Sequence, residues 1–140
     1  CRTMSTRYLL DTNILIAALK GAPGVRQRLE HTPLNALLLS TVVLGELEFG
    51  AEKSTWAARN RQRLNELTER LPLLGVDASA ARHYARIRAQ LERQGQPIGA
   101  NDLWIAAQAL AAEATLVTDN EGEFRRVPGL ALENWLRDEA

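Results

Sequence analysis

Four acids, Asp11, Glu46, Asp102 and Asp119, are the residues of this 140-residue chain whose type and placement could do chemistry. Asp11 closes the apolar run RYLL, and Asp119 closes the β-rich run TLVT. Asp102 opens a long apolar segment, ANDLWIAAQALAA, and Glu46 lies early in VVLGELEFGAEK. Gathered in one cleft, such carboxylates could hold a divalent cation that polarises a phosphodiester and activates water against it. They could not gather unaided, because two like charges about 4 Å apart repel by roughly 1 kcal/mol in bulk water and about 4 kcal/mol at an effective dielectric near 20. The only lysines, Lys20 and Lys53, lie outside the strand ends and helix starts that carry the acids. A bound cation is the natural counter-charge, and an all-oxygen set suits Mg²⁺ or Mn²⁺ rather than zinc.

The elements that must position these acids alternate between short apolar runs and helical periodicity. Residues 7–10 read as a strand, TNILIAAL as a helix stopped by Gly21, and residues 23–31 as a second helix begun by Pro23. Residues 36–39 read as a strand closing on Ser40, an N-cap for the helix that carries Glu46. An arginine-rich helix over about 55–70, an extended piece at 73–76 and a helix over 79–94 follow. The helix from Ala100 is apolar almost all round and must be buried. Residues 115–118 read as a strand, 121–125 as a short helix and 130–132 as a last edge strand. This alternation predicts an α/β fold with a central parallel sheet of four to five strands and helices on both faces. If the strands ending at Asp11 and Asp119 are neighbours, both carboxylates emerge at the carboxyl edge where open sheets bind ligands. Glu46 falls beside the apolar stripe of Val43, Leu44, Leu47 and Ala51, with Glu48 and Glu52 turned toward solvent.

Each acid also has an ordinary explanation. Asp11 and Asp119 could cap the helices after them, Asp102 could stabilise a first turn behind an Asn101 cap, and Glu46 could be surface. Capping does not account for Glu46, and it predicts no shared location for the rest.

Composition narrows the classes further. With 46% hydrophobic and 24% charged residues, the chain fits one domain spanning residues 5–140, with residues 1–4 expected to be an upstream remnant outside the fold. It has no apolar run of membrane-spanning length and a single cysteine, Cys1, so a soluble protein of a reducing cytoplasm is expected. Net charge is zero, which does not mark a nucleic-acid binder. The arginines crowd between Arg59 and Arg93, and Arg59, Arg63, Arg82 and Arg86 are candidate phosphate contacts, against the alternative of solvated helix faces. His31 and His83 are expected to be structural or at the surface. Phe124 and Trp135 are expected in the core.

The segments LLDTNILI (9–16), STVVLGELEFG (40–50), PIGANDLWIAAQAL (97–110) and LVTDNEGEFRRVPGLALENW (116–135) resemble, in order, the blocks of the PIN-domain ribonucleases. Within them the likeness is to the VapC-type toxins of type II toxin–antitoxin pairs. The resemblance implies a single PIN-like domain and a Mg²⁺-dependent endoribonuclease acting as a toxin. Asp11, Glu46 and Asp102 match that family's three metal-site acids, and Asp119 matches its fourth, more variable one. Thr12, Asn13 and Ser40 match supporting positions, and Glu123 is a neighbour. RNA as substrate, a VapB-type antitoxin and a homodimer follow from the resemblance alone. Two other classes stand beside it: a phosphotransfer or phosphatase domain phosphorylated on Asp11, and a non-catalytic PIN-fold binding module. Residues 51–96 match only loosely, so substrate choice is expected to reside there.

Overall fold

The computed structural model describes residues 6–137; the expectations for residues 1–4 and for the domain's two ends lie outside them. Strands β1 (Tyr8–Leu10), β2 (Leu37–Ser40), β3 (Leu73–Leu74), β4 (Thr115–Val117) and β5 (Leu132–Glu133) form one sheet in the order β3-β2-β1-β4-β5. Every pairing is parallel, with Leu9 opposite both Leu38 and Leu116. Successive strand residues face opposite sides of a sheet. All four β2 residues are nonetheless buried, so both faces are covered.

The helices among the described residues are α1 (Thr12–Leu19), α2 (Pro23–Glu30), α3 (Thr41–Glu52), α4 (Ala57–Thr68), α5 (Ala78–Arg93), α6 (Ala100–Ala111) and α7 (Glu121–Phe124). Gly21 ends α1 at φ +84°, with Ala22 N–H on Ala17 O at 2.9 Å and Gly21 N–H on Ala18 O at 3.0 Å, a Schellman closure. Glu113 ends α6 in the same way at φ +55°, a conformation that costs an L side chain. The core runs from Leu9, Leu10 and Leu116 in the sheet to Ile105, Ala106 and Ala109 of α6, and includes Phe124 and Trp135. No helix among the described residues is long and apolar enough to cross a membrane.

The strands reverse order between β1 and β4, which places the topological switch point where Asp11 and the TDN segment emerge. Most elements lie within a residue of the sequence reading, and three differ more. Helix α4 begins at Ala57 rather than 55, after a turn, and β3 is limited to the two residues that pair with Leu39 and Ser40. The last strand lies at Leu132–Glu133 rather than 130–132, because its partners are Leu116 and Val117.

Candidate active site

Asp11 caps α1 from the end of β1 and is only 6% exposed. Its Oδ1 accepts the Thr12 N–H at 2.8 Å, and its Oδ2 accepts the Thr118 hydroxyl at 2.7 Å. Burial raises its pKa; the Thr118 and Thr12 hydrogen bonds oppose the rise, and the Glu46 charge adds to it.

Glu46 reaches the same centre from the second turn of α3. Ser40 holds that helix by accepting the N–H groups of Val42 at 3.0 Å and Val43 at 3.4 Å. One Glu46 oxygen accepts the Thr12 hydroxyl, and the other accepts Asn101 Nδ2 at 3.0 Å. Asn101 is therefore not the α6 cap that the sequence suggested. Gly99 occupies the cap position, and Asn101 bridges α6 to Glu46.

Asp102, half-buried in the first turn of α6, has its pKa pushed up to about 6. Desolvation is the largest cause, followed by the charges of Asp11, Glu123 and Glu46, while a hydrogen bond from Asn120 opposes them. Every charge acting on it is a carboxylate. Asn120 Nδ2 spans Asp102 and Glu123, 3.3 Å from each, and Glu123 also accepts the Gly99 N–H at 3.2 Å. Among the described residues no three His, Cys, Asp or Glu side chains stand together in an arrangement that could hold a metal ion as they are placed. Each carboxylate is instead held by hydroxyl or amide donors, near enough for Asp11, Glu46 and Glu123 to act electrostatically on Asp102. Mg²⁺ keeps several of its waters and takes one or two carboxylates from a protein, so an ion here would need only part of this acid set as direct ligands.

The PIN-domain model matches residues 8–130, which include all of these side chains. The chain belongs to the PIN-domain family. Its relatives place it with the VapC proteins. Ribonuclease VapC2 of Rickettsia felis is 41% identical over 130 residues, covering 91% of this chain and 97% of that protein. The tRNA(fMet)-specific endonuclease VapC of Shigella flexneri is 42% identical, covering 92% and 98%. The DNA-bound VapBC structure from Salmonella typhimurium superposes with a TM-score of 0.88 at 37% identity, covering 94% of this chain and 99% of that one.

In this PIN domain Asp119 departs from the expected convergence of four acids. Its backbone N–H reaches Asn13 Oδ1 at 3.4 Å, which is how Asn13 contributes. Its exposed carboxylate, however, accepts Asn134 Nδ2 at 2.9 Å and lies 3.7 Å from Arg137 Nε. Glu123, one helical turn on, is the acid that the TDN segment brings to Asp102. Ser40 supports the site through α3 rather than by touching an acid.

Thr118, Asn101 and Asn120 are functional neighbours that the sequence reading missed. A hydroxyl or amide beside each acid in TDN and AND was the available signal. Of the arginines singled out, Arg63 donates to Leu19 O at the end of α1, at 2.5 Å. Arg59, Arg82 and Arg86 are exposed and make no ion pair among the described residues. Glu48 and Glu52 are not simply solvated, since Arg61 pairs with both. His31 is exposed on Gln27 O at 2.8 Å, and His83 is half-buried on α5.

Proposed function

We propose that this VapC-type ribonuclease hydrolyses RNA phosphodiesters as an endonuclease, using Mg²⁺, or Mn²⁺ in its place, held by Asp11, Glu46 and Asp102. The observation that carries this reading is Asp102, half-buried and pushed up to about 6 by desolvation and by three neighbouring carboxylates. A cation between its members would relieve that repulsion and favour the ionised form. Bound there, Mg²⁺ supplies Lewis acidity toward a phosphate oxygen and lowers the pKa of a coordinated water.

The chain's own residues prepare that chemistry. Thr118 and the Thr12 amide fix both oxygens of Asp11, and the Thr12 hydroxyl and Asn101 fix both oxygens of Glu46. Asn120 holds Asp102 beside Glu123. Ligands oriented in this way lose less conformational freedom on binding. Glu123 takes the fourth acid's part, orienting water or accepting its proton, while Asp119 stands at the rim on the Asn134 and Arg137 side.

The protein acts as the toxin of a pair with a VapB-type antitoxin and forms a homodimer. The VapBC complex found among its structural relatives supports the first assignment. A cleft of about 250 Å³ between α1, α3 and α4, lined by Ile16, Leu47 and Glu46, supplies apolar surface beside the acids. Phosphorylation of Asp11 is disfavoured, because that carboxylate is 6% exposed with both oxygens accepting hydrogen bonds.

Total RNA incubated with the protein and Mg²⁺ is expected to be cut, and to stay whole with EDTA or with Asp11→Asn. Cleavage by Asp11→Asn in EDTA sinks the mechanism. A wild-type protein that binds RNA without cutting it makes the chain a binding module.

A further inference from the structure

Helix α6 is apolar along its buried face except at Gln108, which is 1% exposed between Ala107 and Ala109, both 0% exposed. An amide buried without partners is destabilising, so its hydrogen bonds decide whether it is tolerated. Gln108 Oε1 accepts the Ser40 hydroxyl at 2.5 Å, and Nε2 donates to Leu74 O at 2.9 Å. One side chain of α6 thus joins the end of β2 to edge strand β3, across 68 and 34 residues of sequence.

The proton inventory at Ser40 gives this bridge a direction. A serine hydroxyl has one proton and two acceptor lone pairs. Its proton goes to Gln108, and the lone pairs face the N–H groups of Val42 and Val43 at the start of α3. Gln108 therefore sets the rotor that caps the helix carrying Glu46, while its own helix carries Asp102 six residues earlier. Two of the three acids are registered against each other at this one buried junction.

We propose that Gln108 is a positioning residue that sets the separation of Glu46 and Asp102, and through it the affinity of the acid centre for a divalent cation. This rests on the metal reading above. A purely structural amide would affect only stability; a positioning one also changes how well the acids share an ion, while touching neither ion nor RNA.

The experiment is calorimetric titration of Mn²⁺ into wild type, Gln108→Met, Ser40→Ala and the control Val25→Ala, without RNA, beside thermal unfolding of each. Val25 is fully buried on α2, outside this junction, and its truncation lowers Tm alone. Wild type is expected to bind Mn²⁺, with Gln108→Met and Ser40→Ala each about tenfold weaker, the scale of losing an outer-shell support. The double variant should be no weaker than either single one, because both break the same link. Wild-type affinity in a folded Gln108→Met overturns the proposal even if its Tm falls. If Gln108→Met does not fold, Ser40→Ala decides in the same way, since a folded domain tolerates the loss of one N-cap. A wild type that binds no Mn²⁺ overturns the metal reading itself, and the proposal with it.

Discussion

Around Asp11, the acids are held largely by side chains distant in sequence; along α4 and α5, Arg63 on Leu19 O apart, the charged side chains pair within about thirteen residues or point into solvent. Thr118 meets Asp11 across 107 residues, and Asn101 meets Glu46 across 55. Arg88 instead pairs with Glu92 one turn away, and Arg61 with Glu48 and Glu52. The first arrangement collects like charges and partly buries them, which raises the pKa of both Asp11 and Asp102. The second is what a solvated surface does at little cost, since exposed pairs contribute about 0–1 kcal/mol. The first region is therefore where a bound cation would have the most repulsion to relieve.

The largest expected effect breaks the first region outright. Asp11→Asn should lower the RNA cleavage rate by about 10²–10³-fold, the scale of losing one charge-stabilising group, as measured by single-turnover kinetics. A loss under about tenfold would move the chemistry elsewhere. Thr118→Val keeps the shape but removes the hydroxyl from Asp11, and should cost about 10–100-fold. Thr118→Ser should restore most of the rate, which distinguishes the hydrogen bond from packing.

The second region should respond differently. Replacing Arg82 and Arg86 together with alanine should leave single-turnover cleavage of saturating RNA near wild type. It should also flatten the salt dependence of RNA affinity by about 0.7 in log–log slope for each phosphate no longer neutralised. An unchanged slope would leave these arginines as solvated helix surface. The smallest effect lies outside both regions: Glu113→Gly relieves the positive φ at the end of α6 and should raise stability by about 1 kcal/mol in denaturant unfolding. A loss of stability would mean that the Glu113 side chain contributes more than its backbone strain costs.

Asp11, Glu46 and Asp102 were legible in the sequence because strand ends, a helical stripe and a first turn are local patterns that the parallel topology brings to one edge. Asp119 and Glu123 were not distinguishable in that way. Both follow β4, and only the turn after Thr118, with Asn134 drawing Asp119 toward the C-terminal segment, sends Glu123 rather than Asp119 to Asp102. Asn101 looked like a cap because asparagine favours caps, yet Gly99 starts the helix and leaves Asn101 to face Glu46. Gln108 carried only the signal of a polar residue in an apolar helix, since its partners come from β2 and β3. Periodicity reports the face a residue occupies on its own element, and says nothing of the residue waiting opposite.

Thermal unfolding near neutral pH, with EDTA and with Mg²⁺, for wild type and Asp102→Asn, tests most directly whether the acids are a cation site. The folded-state pKa of Asp102 is raised from 3.8 to about 6, so the native state binds its proton more tightly than the unfolded chain. Metal-free stability is therefore fullest below about 3.8 and declines as pH rises through about 6, by on the order of 1 kcal/mol for a half-exposed group. Asp102→Asn removes that repulsion, so its metal-free Tm near neutral pH should exceed that of wild type. Mg²⁺ should raise the wild-type Tm, contributing about 2.7 kcal/mol at a free concentration near 100 times Kd, and should leave Asp102→Asn almost unmoved. A wild-type Tm indifferent to Mg²⁺, or a metal-free Asp102→Asn less stable than wild type, would contradict the account.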